Sequence, residues 1–401
     1  MPDIHPNALP DVSALGGTIS DANVSASANI GWSKISKTGS SLADLATRTT
    51  ANLTDFPSQT GQAGKYLTTN GSALSWDTVA SGSSRGLFFK TDPTIVVFNR
   101  TGNGTAEIMA GTIIDVGGTL VTFAAATAIT MPTLTAGTDY AIWVSASGTI
   151  QATDNFTSPP AAGSWRKIGG FHYAPGGNAT AQSGGNTTAQ INEYSFWDLK
   201  FRPVCADPRG MTLVANTFWA DIYLCGVDAI TNGSSKFNVT IGDGSSPPKV
   251  PSMYGGNGTT TYGSFTWFEA MELATAFGKK CPTQQEFMAL AYGTTEASSN
   301  GTDPVSTTLI AARTSKWGCI QSTGVMYVWA RDRGGPAAAA SWNANTEGRG
   351  SEFNAPNAGV LGGTWDATSR SGSRCSVWYD AASFSLNAIG ARFVCDHLMV
   401  D

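Results

Sequence analysis

Six cysteines, three histidines and scattered carboxylates are the groups from which this chain could build a catalytic or metal centre, and their spacing supports neither. Cys205, Cys225, Cys281, Cys319, Cys375 and Cys395 all lie in the C-terminal half, with no two close enough in sequence for a zinc knuckle. They read as reduced, mostly buried thiols. His5, His172 and His397 stand far apart and are not grouped with carboxylates, so the spacing predicts no histidine-dependent triad and no zinc site. Asp243, Glu347 and Asp396 are not spaced like a calcium loop, so no cofactor is expected and a structural cation has no support in the sequence. What remains is non-covalent chemistry near the carboxyl end. Trp365 is flanked by Thr364 and Asp366, and Trp378 by Val377 and Tyr379. Under local period-two geometry each tryptophan points one way and its neighbours the other. Phe384, Leu386 and Ala388 alternate with Ser383, Ser385 and Asn387 and so share one face. That face is either a half-buried core strand or an exposed surface with aromatic anchors Tyr379 and Phe384 and charges Asp366, Arg370 and Asp380 for electrostatic selection.

Such a surface needs a scaffold, and composition limits what kind. The chain has 401 residues with 24 Lys+Arg against 29 Asp+Glu, a net charge of −5, so only 13% are charged. Solvation therefore relies on hydroxyls and amides, and the acidic balance removes the electrostatic basis for binding nucleic acid or an anionic membrane surface. No apolar run approaches the length of a membrane span, so no membrane insertion is expected. The amino terminus, MPDIHPNALPDV, lacks a basic region followed by an apolar one and does not read as a secretory signal, which implies cytoplasmic synthesis.

Three regions follow along the chain, with the fold class read as multidomain. Residues 1–85 are too poor in large apolar groups to bury a core and read as a fibre-like leader. Within them Tyr66, Leu67, Asn70-Gly71, Leu74 and Trp76 make a hairpin pattern, and Ser81–Ser84 a linker. Residues 86–190 are β-branched and aromatic runs broken by turn pairs such as Gly117-Gly118 and Ser147-Gly148, predicting an all-β sandwich or prism. Gly176–Gln190 reads as a polar connection. Residues 191–401 are α+β: one helix is expected in Phe265–Lys280 with Thr266 and Glu269 as a capping box, a second in Cys281–Gly293 with Thr283 and Glu286. A long irregular segment rich in Gly, Asn and Trp comes after.

RPVCADPRGM from Arg202, NTFWADIYLCGVDA from Asn216, CPTQQEF from Cys281, LGGTW from Leu361, SGSR from Ser371 and GARFVCDHL from Gly390 carry a resemblance to one family. GTDYAIWV from Gly137, GGFHYAP from Gly169 and GGNTTAQINEYSFWD from Gly184 extend it, over about Phe88 to Asp401. The chain resembles the major tropism determinants, phage tail-fibre receptor-binding proteins diversified by a retroelement. The resemblance implies a C-terminal C-type lectin fold, a homotrimer at the fibre tip of a virion, and a bacterial surface receptor, protein or glycan, as partner. It implies no enzyme. The leader departs from the family pattern and looks like a generic tail-fibre segment that would join other tail proteins.

Carried over by position, the variable region covers about residues 362–398. Its rewritten sites would be Thr364, Asp366, Ala367, Arg370, Val377, Tyr379, Asp380, Phe384, Leu386 and Ala388, with Thr368 and Ile389 varying less. Gly362, Gly363, Trp365, Arg374, Trp378, Gly390 and Arg392 would be scaffold, the glycines for tight backbone and the two arginines as fixed hydrogen-bond donors within the fold. Two rivals remain. CPTQQEF, GVMYVWA and GGTW also resemble formylglycine-generating oxidoreductases, which need a reactive cysteine pair that no two of these cysteines match; a diversified bacterial adhesin would need an export signal.

Overall fold

The computed structural model describes residues 57–63, 65–69, 73–78, 86–335, 342–344, 349 and 351–398. The chain divides into two compact units, Met1–Ala80 and Ser81–Asp401. In the first, Lys65–Thr69 pairs antiparallel with Leu74–Thr78, placing Leu67 opposite Trp76. The Trp76 indole donates to the carbonyl of Pro57 at 2.9 Å, which closes the polar end of a ring otherwise left without a partner. Residues 1–56, Asn70-Gly71 and the linker 81–84 lie outside the described residues.

The second unit begins with three antiparallel sheets. Phe88–Phe89, Thr112–Val116 and Thr119–Phe123 form one, and Phe98–Arg100, Ala106–Ile108 and Thr127–Ala128 another. The third has Thr138–Ser145 at its centre, with Ile150–Thr153 on one side and Trp165–Ala174 on the other. Their inward residues, among them Phe98, Ile108, Ile114, Ile142, Val144, Ile168 and Phe171, share one core. Gly169 is required there: a Cβ would stand 2.2 Å from the Trp197 carbonyl and 2.5 Å from the Phe98 ring.

The boundary expected at 190/191 falls inside this sheet. Gln190–Ile191 and Trp197–Asp198 both pair with Trp165–Ala174, and Ile191 and Phe196 are core residues. Gly176–Gln190 is no free connection either. Ala179 N–H donates to Ser315, Gly184 to Gly293 and Gly185 to Ala311, all at 2.8–3.1 Å, which seats the segment on loops more than a hundred positions away.

Residues 199–398 contain few regular elements. Met211–Val214, Phe218–Asp221 and Val394–Asp396 form one sheet in that order, so Val394–Asp396 returns to pair with the second strand of this region. A second sheet runs Ser376–Val377, Asn357–Leu361, Tyr327–Gly334 and Ile389–Gly390, the last pair parallel. Both capping boxes form and start helices at Trp267–Ala276 and Gln284–Leu290. Leu273 and Ala274 of the first and Phe287 and Leu290 of the second are buried. Gly278 leaves the first helix in the left-handed region, at φ 65°.

Two buried charges organise the irregular part. Lys279 Nζ meets Asp221 Oδ1 at 2.6 Å and Ser234 at 2.8 Å, with Asp221 fully shielded. Arg392 is also wholly buried; its Nη1 donates to the carbonyls of Asp221 and Ile222 at 2.6 Å each, and its Nη2 to that of Ile320. Burial pushes the Arg392 pKa down, yet a guanidinium remains charged there; both terminal nitrogens are matched by carbonyls, while the buried Nε has no acceptor among the described residues. Arg392→Lys keeps the charge but not the planar fork. It should lower the unfolding free energy by about 2–4 kcal/mol, read as a shifted urea midpoint with an unchanged slope. A midpoint within error of the parent would remove Arg392 as the organiser.

Candidate functional site

Trp378 lies on a floor of glycines. A Cβ on Gly359 would stand 2.6 Å from its ring, one on Gly334 3.2 Å, and one on Gly335 2.3 Å from its carbonyl. Gly335 also has φ 75°. The ring is half-buried, its indole donates to Ser376 Oγ at 3.0 Å, and Asn357 Nδ2 donates to its carbonyl at 3.3 Å. With the tryptophan held inward, Tyr379 projects outward and is 81% exposed. Val377 is half-buried opposite Val360. Asp380 is half-buried, and burial raises its carboxyl pKa.

Trp365 sits in a turn instead of a strand, half-buried against the cluster that contains Phe287 and Val325. Gly362 and Gly363 reach it with φ of 95° and 86°, where only glycine is unstrained. The Gly301 N–H donates to the Trp365 carbonyl at 2.7 Å. Beyond it Asp366, Thr368 and Arg370 are exposed and Ala367 half-buried. Arg370 makes no side-chain hydrogen bond or ion pair among the described residues. Thr368 opens a single 3-10 turn, Thr368–Arg370, and its N–H donates to Ser299 Oγ at 3.1 Å. Its φ of 51° is left-handed, an unfavourable conformation for a β-branched residue.

Residues 381–388 form no strand, so the period-two expectation does not apply to them. Main-chain and serine bonds hold the segment from behind. Trp267 N–H donates to the Ala382 carbonyl at 3.1 Å, Phe265 N–H to Ser385 Oγ at 3.2 Å, Gly244 N–H to the Leu386 carbonyl at 3.1 Å and Tyr327 N–H to the Ala388 carbonyl at 3.0 Å. Phe384 and Leu386 point away from these anchors and are 39% and 46% exposed.

Not every candidate reaches that surface. Thr364 is 5% exposed, its hydroxyl bonded to Asp366 and its backbone bridged to Val325; Ala388 is 7% and Ile389 1% exposed, next to the Tyr327–Gly334 strand. Ala388 and Ile389 face the interior because they lie against the Tyr327–Gly334 strand, and Thr364 because it bridges to the buried Val325. Arg374 departs from its scaffold role: it is exposed and makes no side-chain hydrogen bond among the described residues. Gly390 is buried under Met326, whose sulfur a Cβ there would meet at 2.6 Å.

The fold also joins residues that sequence spacing separated. His172 is buried between Asp139 and the Tyr223 hydroxyl, at 2.9 Å to each, and forms a polar strut from the third sheet into the carboxyl-terminal part. His397 stacks on Trp219 and takes its indole N–H at 2.9 Å. Cys205 N–H donates to Cys395 Sγ at 3.2 Å, and the Cys205 thiol lies 3.3 Å from the Asp207 carbonyl. Both are buried among Trp197, Phe201, Met211 and Trp219, closed to a substrate. A separation of 190 positions gave no local signal for that pair.

Comparison with known proteins agrees with this architecture. The family described as Mtd second domain matches residues 96–198. A tail fibre receptor-binding protein of Bordetella phage BPP-1 is 54% identical over 325 residues, 78% of this chain and 85% of that relative. The solved Major Tropism Determinant P3c variant is 52% identical with a TM-score of 0.78, covering 80% of this chain and 88% of its own. The U1 variant is 47% identical with a TM-score of 0.81, covering 86% and 99%. In class, therefore, this is a β-rich protein whose carboxyl-terminal part has a C-type lectin-like fold. The chain belongs to the major tropism determinant family.

If the face is supported from beneath, truncating it should spare the fold. Tyr379→Ala and Phe384→Ala should each change the unfolding free energy by no more than about 1 kcal/mol, while Ile389→Ala should lower it by about 2–4 kcal/mol. Thr368→Asn should raise it by about 0.5–1 kcal/mol by relieving the left-handed strain. Denaturant titration of the four variants checks these signs.

Proposed function

We propose that this chain is the receptor-binding tip of a phage tail fibre, attaching the virion to a bacterial surface molecule and so determining host tropism. The observation that carries the reading is the face of Asp366, Thr368, Arg370, Tyr379, Phe384 and Leu386, which projects from backbone anchored through its own amides and carbonyls. Two aromatics and a leucine supply apolar contact, and charges of both signs supply selection. The names of its relatives, a tail fibre receptor-binding protein and tropism determinants, support the same role.

On this reading the receptor is a protein or glycan of the host envelope, and the face is rewritten by a retroelement without loss of the fold. Ala367, Val377 and Asp380 would tune it from the rim. Thr364, Ala388 and Ile389, being buried, would act on local geometry and not by contact. Assembly as a homotrimer multiplies weak contacts into avidity without improving any one of them. The leader would connect to other tail proteins, placing the chain in the virion after cytoplasmic synthesis. Nothing in the proposal requires catalysis.

Replacing Tyr379 and Phe384 together by alanine should reduce phage adsorption at least about tenfold, as expected for lost aromatic anchors, with the melting temperature retained. Unchanged adsorption would remove the face from the account. Light scattering should give a trimer, and the neighbouring genes should include tail and reverse-transcriptase genes.

A further inference from the structure

Away from that face, a cleft of about 390 Å³ opens where the strand Phe98–Arg100 and the segment 190–194 meet the loops 178–186, 292–293 and 316. Arg100 and Lys316 both line it. Neither makes a side-chain hydrogen bond or an ion pair among the described residues. Lys316 instead sits 5.1 Å above the Trp317 ring, and Arg100 Nη1 is shielded from solvent without an acceptor. This is unusual in so sparingly charged a chain. In another polar cleft, lined by Asp139, Arg209 and Lys279, Arg209 is by contrast matched by Asp207 at 2.6 Å and Lys279 by Asp221. The opposing charge in the first cleft is Glu193, which interacts with the Tyr194 hydroxyl and forms no ion pair with either cation.

The cleft wall is built, not incidental. Asn186 Oδ1 accepts the N–H groups of Gly177 and Thr188, at 3.3 and 2.8 Å, while its Nδ2 has no protein acceptor among the described residues. A Cβ on Gly177 would strike the Asn186 amide at 2.4 Å, and one on Gly184 the Ala312 backbone at 2.5 Å. Tyr194 is fixed edge-on against Trp317, with centroids 5.1 Å apart. Tyr292 is 48% exposed and forms the far rim, beyond which a second cleft leads to Glu296 and the unpaired Arg374.

We propose that this cleft binds an acidic sugar residue of a glycan. Arg100 would take the carboxylate, whose two oxygens fit its planar donors. Lys316 adds charge, Asn178, Asn186 and Gln190 offer amides to ring hydroxyls, and Tyr194 and Tyr292 offer faces to the pyranose. The glycan would continue past Tyr292 toward Arg374. Because none of Arg100, Lys316, Tyr194 and Tyr292 belongs to the variable face, this contact is constant while the face changes, and it stands independently of the adsorption reading.

The test is ligand-observed NMR titration of the full chain with glucuronate, galacturonate and N-acetylneuraminate, with glucose and acetate as neutral-sugar and bare-anion controls. At least one acidic sugar should bind saturably, more tightly than either control. Arg100→Gln should weaken it at least about tenfold, from the loss of a charged hydrogen bond. Lys316→Gln, on an exposed side chain, should weaken it less and serves if the Arg100 variant does not fold. Tyr379→Ala should leave it unchanged. No saturable binding of any of the three, equal binding of glucose or acetate, or affinity that survives both cation replacements would overturn the proposal. Loss through Tyr379→Ala would assign the sugar to the variable face and overturn it as well.

Discussion

Arg392 is a permanent charge withdrawn from water, and the carboxyl-terminal fold closes around the need to match it. Its guanidinium gathers the carbonyls of Asp221, Ile222 and Ile320, which belong to segments otherwise joined by little regular structure. Lys279 and Asp221 add a second buried pair beside the same strand. Helices and sheets satisfy their own backbone; irregular loops do not, so donors have to come from side chains placed among them. A fold of this kind is stiff where polar groups meet, whatever lies on its outer surface.

That stiffness is what frees the surface. Positions 379, 384 and 386 are held by main-chain bonds, their own or their neighbours', and by Ser385, with no hydrogen bond from their own side chains among the described residues. A replacement at any of them alters what a partner meets and leaves the anchoring intact. Thr364, Ala388 and Ile389 do not share this freedom, since each is buried, the first beside Val325 and the other two against the Tyr327–Gly334 strand.

The sequence made the local features plain. Thr266 with Glu269 and Thr283 with Glu286 announced two helix starts, and alternation around Leu67 and Trp76 a hairpin, because those signals act within four to ten positions. Features that depend on distant partners were illegible. Gly176–Gln190 has the composition of a linker, yet loops near residues 293, 311 and 315 fix it. Arg374 and Arg392 look alike in sequence, and only the fold puts one in solvent and the other at the centre. Tyr379 was readable as outward because Trp378 beside it must go inward; Ala388 was misread because the alternation it seemed to continue belongs to no strand.

The glycines beneath Trp378 carry a further consequence. A single methyl on Gly335, 2.3 Å from the Trp378 carbonyl, or on Gly359, 2.6 Å from its ring, would displace the tryptophan and with it the neighbouring Tyr379, while one on Gly334, at 3.2 Å, would demand a smaller shift. The bearing of Tyr379, 81% exposed, is therefore set by hydrogens at positions where any other residue would carry carbon.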